Sequence, residues 1–176
     1  NHALGPDLLV SNRENISVNP SGLFWQDVDE FRMLLTGVKL HGHETAICAE
    51  CINNLEKAAV FYRGSFLEGF NLQDCTEFDA WQHLQREGFH QDLVSSLEKL
   101  ARAYASIGEW GKAIQRARQW VSLDRLNENA QRLLMQIYAQ AGQRNAAFHQ
   151  FEEYSRVLND ELGQPPDDET MALYQE

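Results

Sequence analysis

Long apolar runs are missing from this chain. No stretch approaches the roughly 20 consecutive apolar residues that a membrane-crossing helix needs, so no membrane partner is expected. The opening NHALGPDLLV has neither a basic start nor a long apolar core. No secretory signal is read there, and a cytoplasmic location is the default expectation. Basic residues are scarce: 15 Lys and Arg stand against 26 Asp and Glu, for a formal net charge of -11. Holding a phosphate backbone needs clustered cations, so these residues are not expected to be the DNA-reading part of anything. The three cysteines, Cys48, Cys51 and Cys75, are an odd number and give no secreted disulfide framework. Two catalytic signatures are also missing, the Gly-x-Ser-x-Gly elbow and the phosphate-cradling G-x-x-x-x-G-K-[ST] loop. Glu56, Glu98, Glu128 and Glu152 lie scattered on polar faces, and they are expected to be solvated or paired at i, i+4 rather than to act as acid–base groups. No catalytic residue, cofactor or metal ligand is assigned, and the chain is not read as an enzyme.

What the chain has is a 34-residue echo. Leu100, Tyr104, Gly108 and Ala113 recur as Leu134, Tyr138, Gly142 and Ala147, within LARAYASIGEWGKA and LMQIYAQAGQRNAA. That period and order of residue types is the tetratricopeptide pattern, a helix, a Gly turn and a second helix. Ala113 and Ala147 are small enough for two backbones to approach, and the tyrosines fill the space beside them. Gly108 and Gly142 supply the positive φ of a sharp reversal. Arg125 and Gln131 stand where the pattern often has Pro and Trp. One hairpin cannot bury its apolar face alone, so a stack is expected.

The predicted fold class is all-α, a tetratricopeptide-like array of helical hairpins with about three units and seven helices, after a short N-terminal β-hairpin. The hairpin is read in the first two dozen residues, from Leu8–Val10 and the alternation at Ile16 and Val18 around SNREN, with NPSG (19–22) breaking it. Asp27 is expected to cap the first helix, with Phe31, Leu34, Leu35 and Val38 at helical spacing. HGH (41–43) is read as a turn. The next helix is predicted from about Thr45 to Tyr62. In the loop RGSFLEGF (63–70), Phe66, Leu67 and Phe70 are expected to pack downward. A long helix, continuous or bent at Gly88, is predicted from near Thr76 to Ile107. Its apolar positions are Phe78, Trp81, Leu84, Leu93, Leu97, Leu100 and Tyr104. Helices are then expected from Trp110 through Val121, over 127–141 and over 143–162. Last comes a short one capped by Asp167 or Asp168 and carrying Met171, Leu173 and Tyr174.

Two constellations invite a function. His41, His43, Cys48 and Cys51 are all zinc-type ligands within eleven residues, and i, i+3 spacing puts both sulfurs on one helical face. The ordinary reading, small packing cysteines and solvated turn histidines, is preferred. A redox C-x-x-C would need a βαβ setting that this region lacks. The second constellation is the concave face made by the first helix of each repeat. There Ser95, Glu98, Arg102, Asn129, Arg132 and Gln136 are projected to form a polar groove for a peptide or a neighbouring domain.

Several stretches resemble the bacterial transcriptional activator domain, which follows a winged-helix DNA-binding domain in regulators of the Streptomyces antibiotic regulatory protein type. They are WQDVDEF (25–31), LEKAAVFYRGSFLEGF (55–70), EFDAWQHLQRE (77–87), LDRLNENAQRLLMQIYAQAGQRNAA (123–147) and ELGQPPDDETMALYQE (161–176), in the family's order. The resemblance implies that residues 1–22 are the last β-hairpin of a winged helix and that 23–176 are the activator domain. The DNA-reading helix would precede Asn1. It also implies the partners: its own winged-helix domain, a second copy in a homodimer, the transcription machinery, and DNA only through the preceding domain. The family often has Asp-Pro where this chain has Asp124-Arg125. Two alternatives remain open: a free-standing repeat adaptor for peptide tails, and a zinc-binding module built on the His41–Cys51 cluster.

Overall fold

The computed structural model describes residues 8–11, 13, 16–19, 25–43 and 47–175. Strand β1 (Leu9–Ser11) pairs antiparallel with β2 (Ile16–Val18), with Val10 opposite Ser17. Of the break expected at 19–22, positions 20–22 lie outside the described residues. Seven helices follow among the described residues: α1 (Asp27–His41), α2 (Ala49–Phe61), α3 (Thr76–Ser106), α4 (Trp110–Leu123), α5 (Glu128–Gln140), α6 (Arg144–Leu162) and α7 (Asp168–Gln175). None is long and apolar enough to cross a membrane.

The repeat is visible bond for bond. Gly108 and Gly142 take φ of +77° and +74°. The Glu109 N–H donates to the Tyr104 carbonyl at 2.9 Å, and the Gln143 N–H donates to the Tyr138 carbonyl at 2.8 Å. The glycine N–H groups donate to Ala105 and Ala139 at 3.1 and 3.0 Å. This double closure satisfies carbonyls that each helix end would otherwise leave open. Leu100, Leu134, Tyr104, Tyr138 and Ala113 are buried, and Ala147 is half-buried against the same core. A cation rests over each tyrosine ring, Lys112 over Tyr104 and Arg118 over Tyr138. The Arg118 guanidinium also donates to the Tyr138 hydroxyl at 2.6 Å.

The turn between α4 and α5 lacks the proline of the pattern and is built from side chains instead. Asp124 accepts from the Leu126 N–H at 3.0 Å, and Asn127 caps α5 by accepting from the Ala130 N–H at 3.1 Å. Gln131, buried where a Trp is usual, donates to the Arg125 carbonyl at 2.8 Å and accepts from Gln150 at 2.8 Å. A buried amide survives because each end has a partner.

The first half of the chain joins the same core. Phe31, Leu35 and Val38 of α1 and Leu55, Ala58 and Ala59 of α2 pack with Phe89, Leu93 and Leu97 of α3. α3 runs unbroken through Gly88, which faces open space.

Several boundaries differ from expectation. The N-cap of α1 is Gln26, not Asp27; the Asp27 carboxylate accepts from the Val28 N–H at 2.9 Å inside the first turn. His41 belongs to α1, and only Gly42, at φ +55°, makes the left-handed exit. α2 begins after Cys48, and Thr45 lies outside the described residues. Of Phe66, Leu67 and Phe70 only Phe66 is half-buried; Leu67, held at φ +51°, and Phe70 are exposed. Trp81 and Leu84 are 45% and 69% exposed, since among the described residues no helix covers that side of the N-terminal half of α3. On α7 it is Thr170, not Met171 or Tyr174, that is fully buried.

Candidate functional site

The six groove residues sit on α3 and α5. Glu98 and Arg102, one turn apart, form an ion pair at 2.9 Å. Ser95 is half-buried and faces a small cleft that Lys39 and Asp92 also line. Gln136 is exposed. Of the other two, Arg132 is engaged at the start of α7 and itself holds Asn129. Arg132 donates to the Asp167 carboxylate at 2.5 Å and to Asn129 at 2.6 Å, and it lies 3.3 Å from Glu169. Asp167 also caps α7, accepting from the Thr170 N–H at 2.7 Å, while its own N–H donates to Glu128 at 2.7 Å. Partial burial works to raise the Asp167 pKa, but the Thr170 N–H and the Arg132 guanidinium outweigh it and hold the carboxyl at about 2. The polar surface left open is therefore the stretch around Glu98, Arg102 and Gln136.

A second surface is apolar. Leu67, Phe70 and Leu72 of the connecting segment are exposed, as are Trp81 and Leu84 of α3. Phe70 meets Phe78 edge-on at 5.7 Å between centroids, and Trp81 meets Phe66 edge-on and lies tilted against Phe78. The segment is held by α3 itself. Gln82 donates to the Phe70 carbonyl at 2.9 Å, and Arg86 donates to the Phe66 and Leu67 carbonyls at 2.8 and 2.9 Å. Beside it an open cavity of about 400 Å³ is lined by Asp27, Phe31, Phe61, Tyr62, Ser65 and Phe89. Burial raises the Tyr62 hydroxyl pKa above its ordinary value.

The histidines and cysteines are brought together. His41 Nδ1 lies 3.2 Å from Cys51 Sγ and 3.5 Å from Cys48 Sγ. The His41 and His43 ring centroids are 4.8 Å apart. Cys51 is buried, as packing predicts, and burial together with neighbouring Cys48 raises its thiol pKa. His41 is exposed at the helix end, but His43 is half-buried.

The family model described as bacterial transcriptional activator domain matches residues 26–176. The chain belongs to that family. No curated protein matches it. The activator domain is a domain of transcription regulators and not an enzyme family, and the match covers six-sevenths of the chain. The β-hairpin at 9–18 precedes the matched span.

Three parts of the activator domain's architecture escaped the sequence. Glu56 is half-buried and pairs across the fold rather than along its own helix: it forms a two-pronged ion pair with Arg116 of α4, Nε to Oε1 at 3.0 Å. Gln82 and Arg86 read as polar helix residues, yet they anchor a loop 12 to 20 positions away. Arg132 ties to α7 across 35 residues. Opposite charges at such separations leave no periodic trace; only the unusual burial of these groups marks them.

Proposed function

We propose that this activator domain is the regulatory interaction module of a bacterial transcription activator. In this reading it joins a winged-helix DNA-binding domain on its N-terminal side to protein partners on its helical surface: a second copy, a neighbouring domain or the transcription machinery. The observation that carries the reading is the family match beginning at Gln26, C-terminal to a pair of antiparallel strands that the match leaves out. Two further features support it. The net charge of -11 suits a protein-contacting part better than a phosphate-contacting one. Of the polar positions Ser95, Glu98, Arg102, Asn129, Arg132 and Gln136 on the repeat scaffold, Arg132 and Asn129 are held at the start of α7, and in this reading Glu98, Arg102 and Gln136 meet a peptide or domain partner.

The test has two arms. Residues 1–176 alone bind no duplex DNA at physiological salt, whereas the same chain preceded by its own upstream coding sequence does. Replacing Glu98 and Arg102 together by Ala in that longer protein lowers promoter activation while leaving DNA affinity unchanged. DNA binding by residues 1–176 would overturn the division of labour. Undiminished activation by the double variant would remove the groove from the mechanism.

A further inference from the structure

We propose that His41, His43, Cys48 and Cys51 form a closed, four-coordinate zinc site that fastens the end of α1 to the start of α2. The residues come from one turn of the fold. His41 is the last residue of α1, and His43 follows the left-handed Gly42. Cys48 is the N-cap of α2, and Cys51 lies in its first turn. One ligand atom from each of the four lies within 4.8 Å of all the others. Zinc with bonds of about 2.3 Å to sulfur and about 2.0 Å to nitrogen, arranged tetrahedrally, sets its ligand atoms about 3.3–3.8 Å apart. The distances from His41 Nδ1 to the two sulfurs, 3.2 and 3.5 Å, already fall at or close to that range.

The second observation is His43. Its Nε2 is buried and has no hydrogen-bond partner among the described residues. Buried ring nitrogens are almost always partnered, and a metal in the cluster supplies what this one lacks. Packing explains why Cys51 is buried, but it explains neither the convergence of two imidazoles on two sulfurs nor the orphaned nitrogen.

The donor set selects the metal. Two thiolates and two imidazoles in a tetrahedral arrangement suit zinc, and with all four positions filled by protein the site is structural rather than catalytic. On binding, the metal displaces the thiol protons of Cys48 and Cys51, which leave to solvent. The site lies apart from the polar groove on α3 and α5, so it stands or fails independently of the function proposed above.

The experiment uses protein purified under reducing conditions without chelator or added metal, followed by cobalt titration of the metal-free form. The expected result is about one zinc per chain. Cobalt should give the intense visible bands of a tetrahedral thiolate complex, and zinc should displace it. Cys51 is buried, so its replacement could unfold the hairpin. The informative variants are Cys48→Ala and His43→Ala, checked for helicity by circular dichroism. Each should weaken zinc binding by at least about 100-fold, more than the loss of an outer-shell partner costs. Cys75→Ala should leave binding unchanged. Metal-free protein with a pale octahedral cobalt spectrum would overturn the proposal, as would undiminished zinc affinity in folded Cys48→Ala.

Discussion

Replacing Asp167 separates two jobs that one carboxylate performs. It caps α7 through the Thr170 N–H and pairs with Arg132 on α5. Moving a carboxyl from 3.8 to about 2 would in full correspond to about 2.5 kcal/mol. The side chain is 42% exposed, and solvent screening reduces this to about 1 kcal/mol. Asn is a good N-cap but carries no charge, so Asp167→Asn should lose about 1 kcal/mol; Asp167→Ala loses the cap as well and should lose about 2 kcal/mol. For a domain of this size these correspond to drops in Tm of about 2–4 and 4–8 °C at pH 7. The pH dependence has a definite sign. A folded-state pKa below the unfolded one stabilises fully above about 3.9, and that contribution disappears as pH falls through about 2. The gap between wild type and Asp167→Asn should therefore close across that window. Melting curves followed by circular dichroism measure it, with amide exchange of α7 registering the same loss if that helix opens locally. Equal effects of Asn and Ala would refute the reasoning, as would a gap that persists at the acid end.

Two other perturbations test the fold. Gly142→Ala, at φ +74° in the second repeat turn, should destabilise by about 1 kcal/mol or more. Gly88→Ala, mid-helix with open space where a Cβ would stand, should stabilise by about 0.5–1 kcal/mol; urea midpoints moving in the same direction would contradict the assignment of these two glycines. Tyr154 is buried, and burial, then the charges of Glu128 and Asp167, push its hydroxyl up to about 12. Its contribution is complete below an unfolded pKa near 10 and is lost as pH rises through about 12, so wild type should lose stability faster than Tyr154→Phe across that range. Parallel alkaline melts would show that the phenol titrates freely.

The sequence carried the second half of the fold because its signals are local. A glycine needed at positive φ, a tyrosine one turn before it and an alanine one turn after it recur at fixed spacing, and the hydrogen bonds at Tyr104 and Tyr138 repeat accordingly. Leu93, Leu97 and Leu100 announced their burial by helical period. Trp81 and Leu84 did not behave as their period suggested, because periodicity reports a face and cannot say whether a neighbour covers it. Glu56 with Arg116 and Arg132 with Asp167 were invisible for the opposite reason: their partners are close only after the hairpins have stacked. The histidine–cysteine cluster lies between these cases. Its residue types were legible, but their convergence depends on Gly42 turning the chain just after His41.

α3 is the longest element, 31 residues in one piece, about 46 Å from end to end. Its first turns carry exposed aromatics and the loop clamped by Gln82 and Arg86; its last turns form the opening helix of the first clear repeat. Such a rod behaves as a lever. Trp81 and the seat of Leu100 and Tyr104 are joined by continuous helix, in which Gly88 is the one glycine.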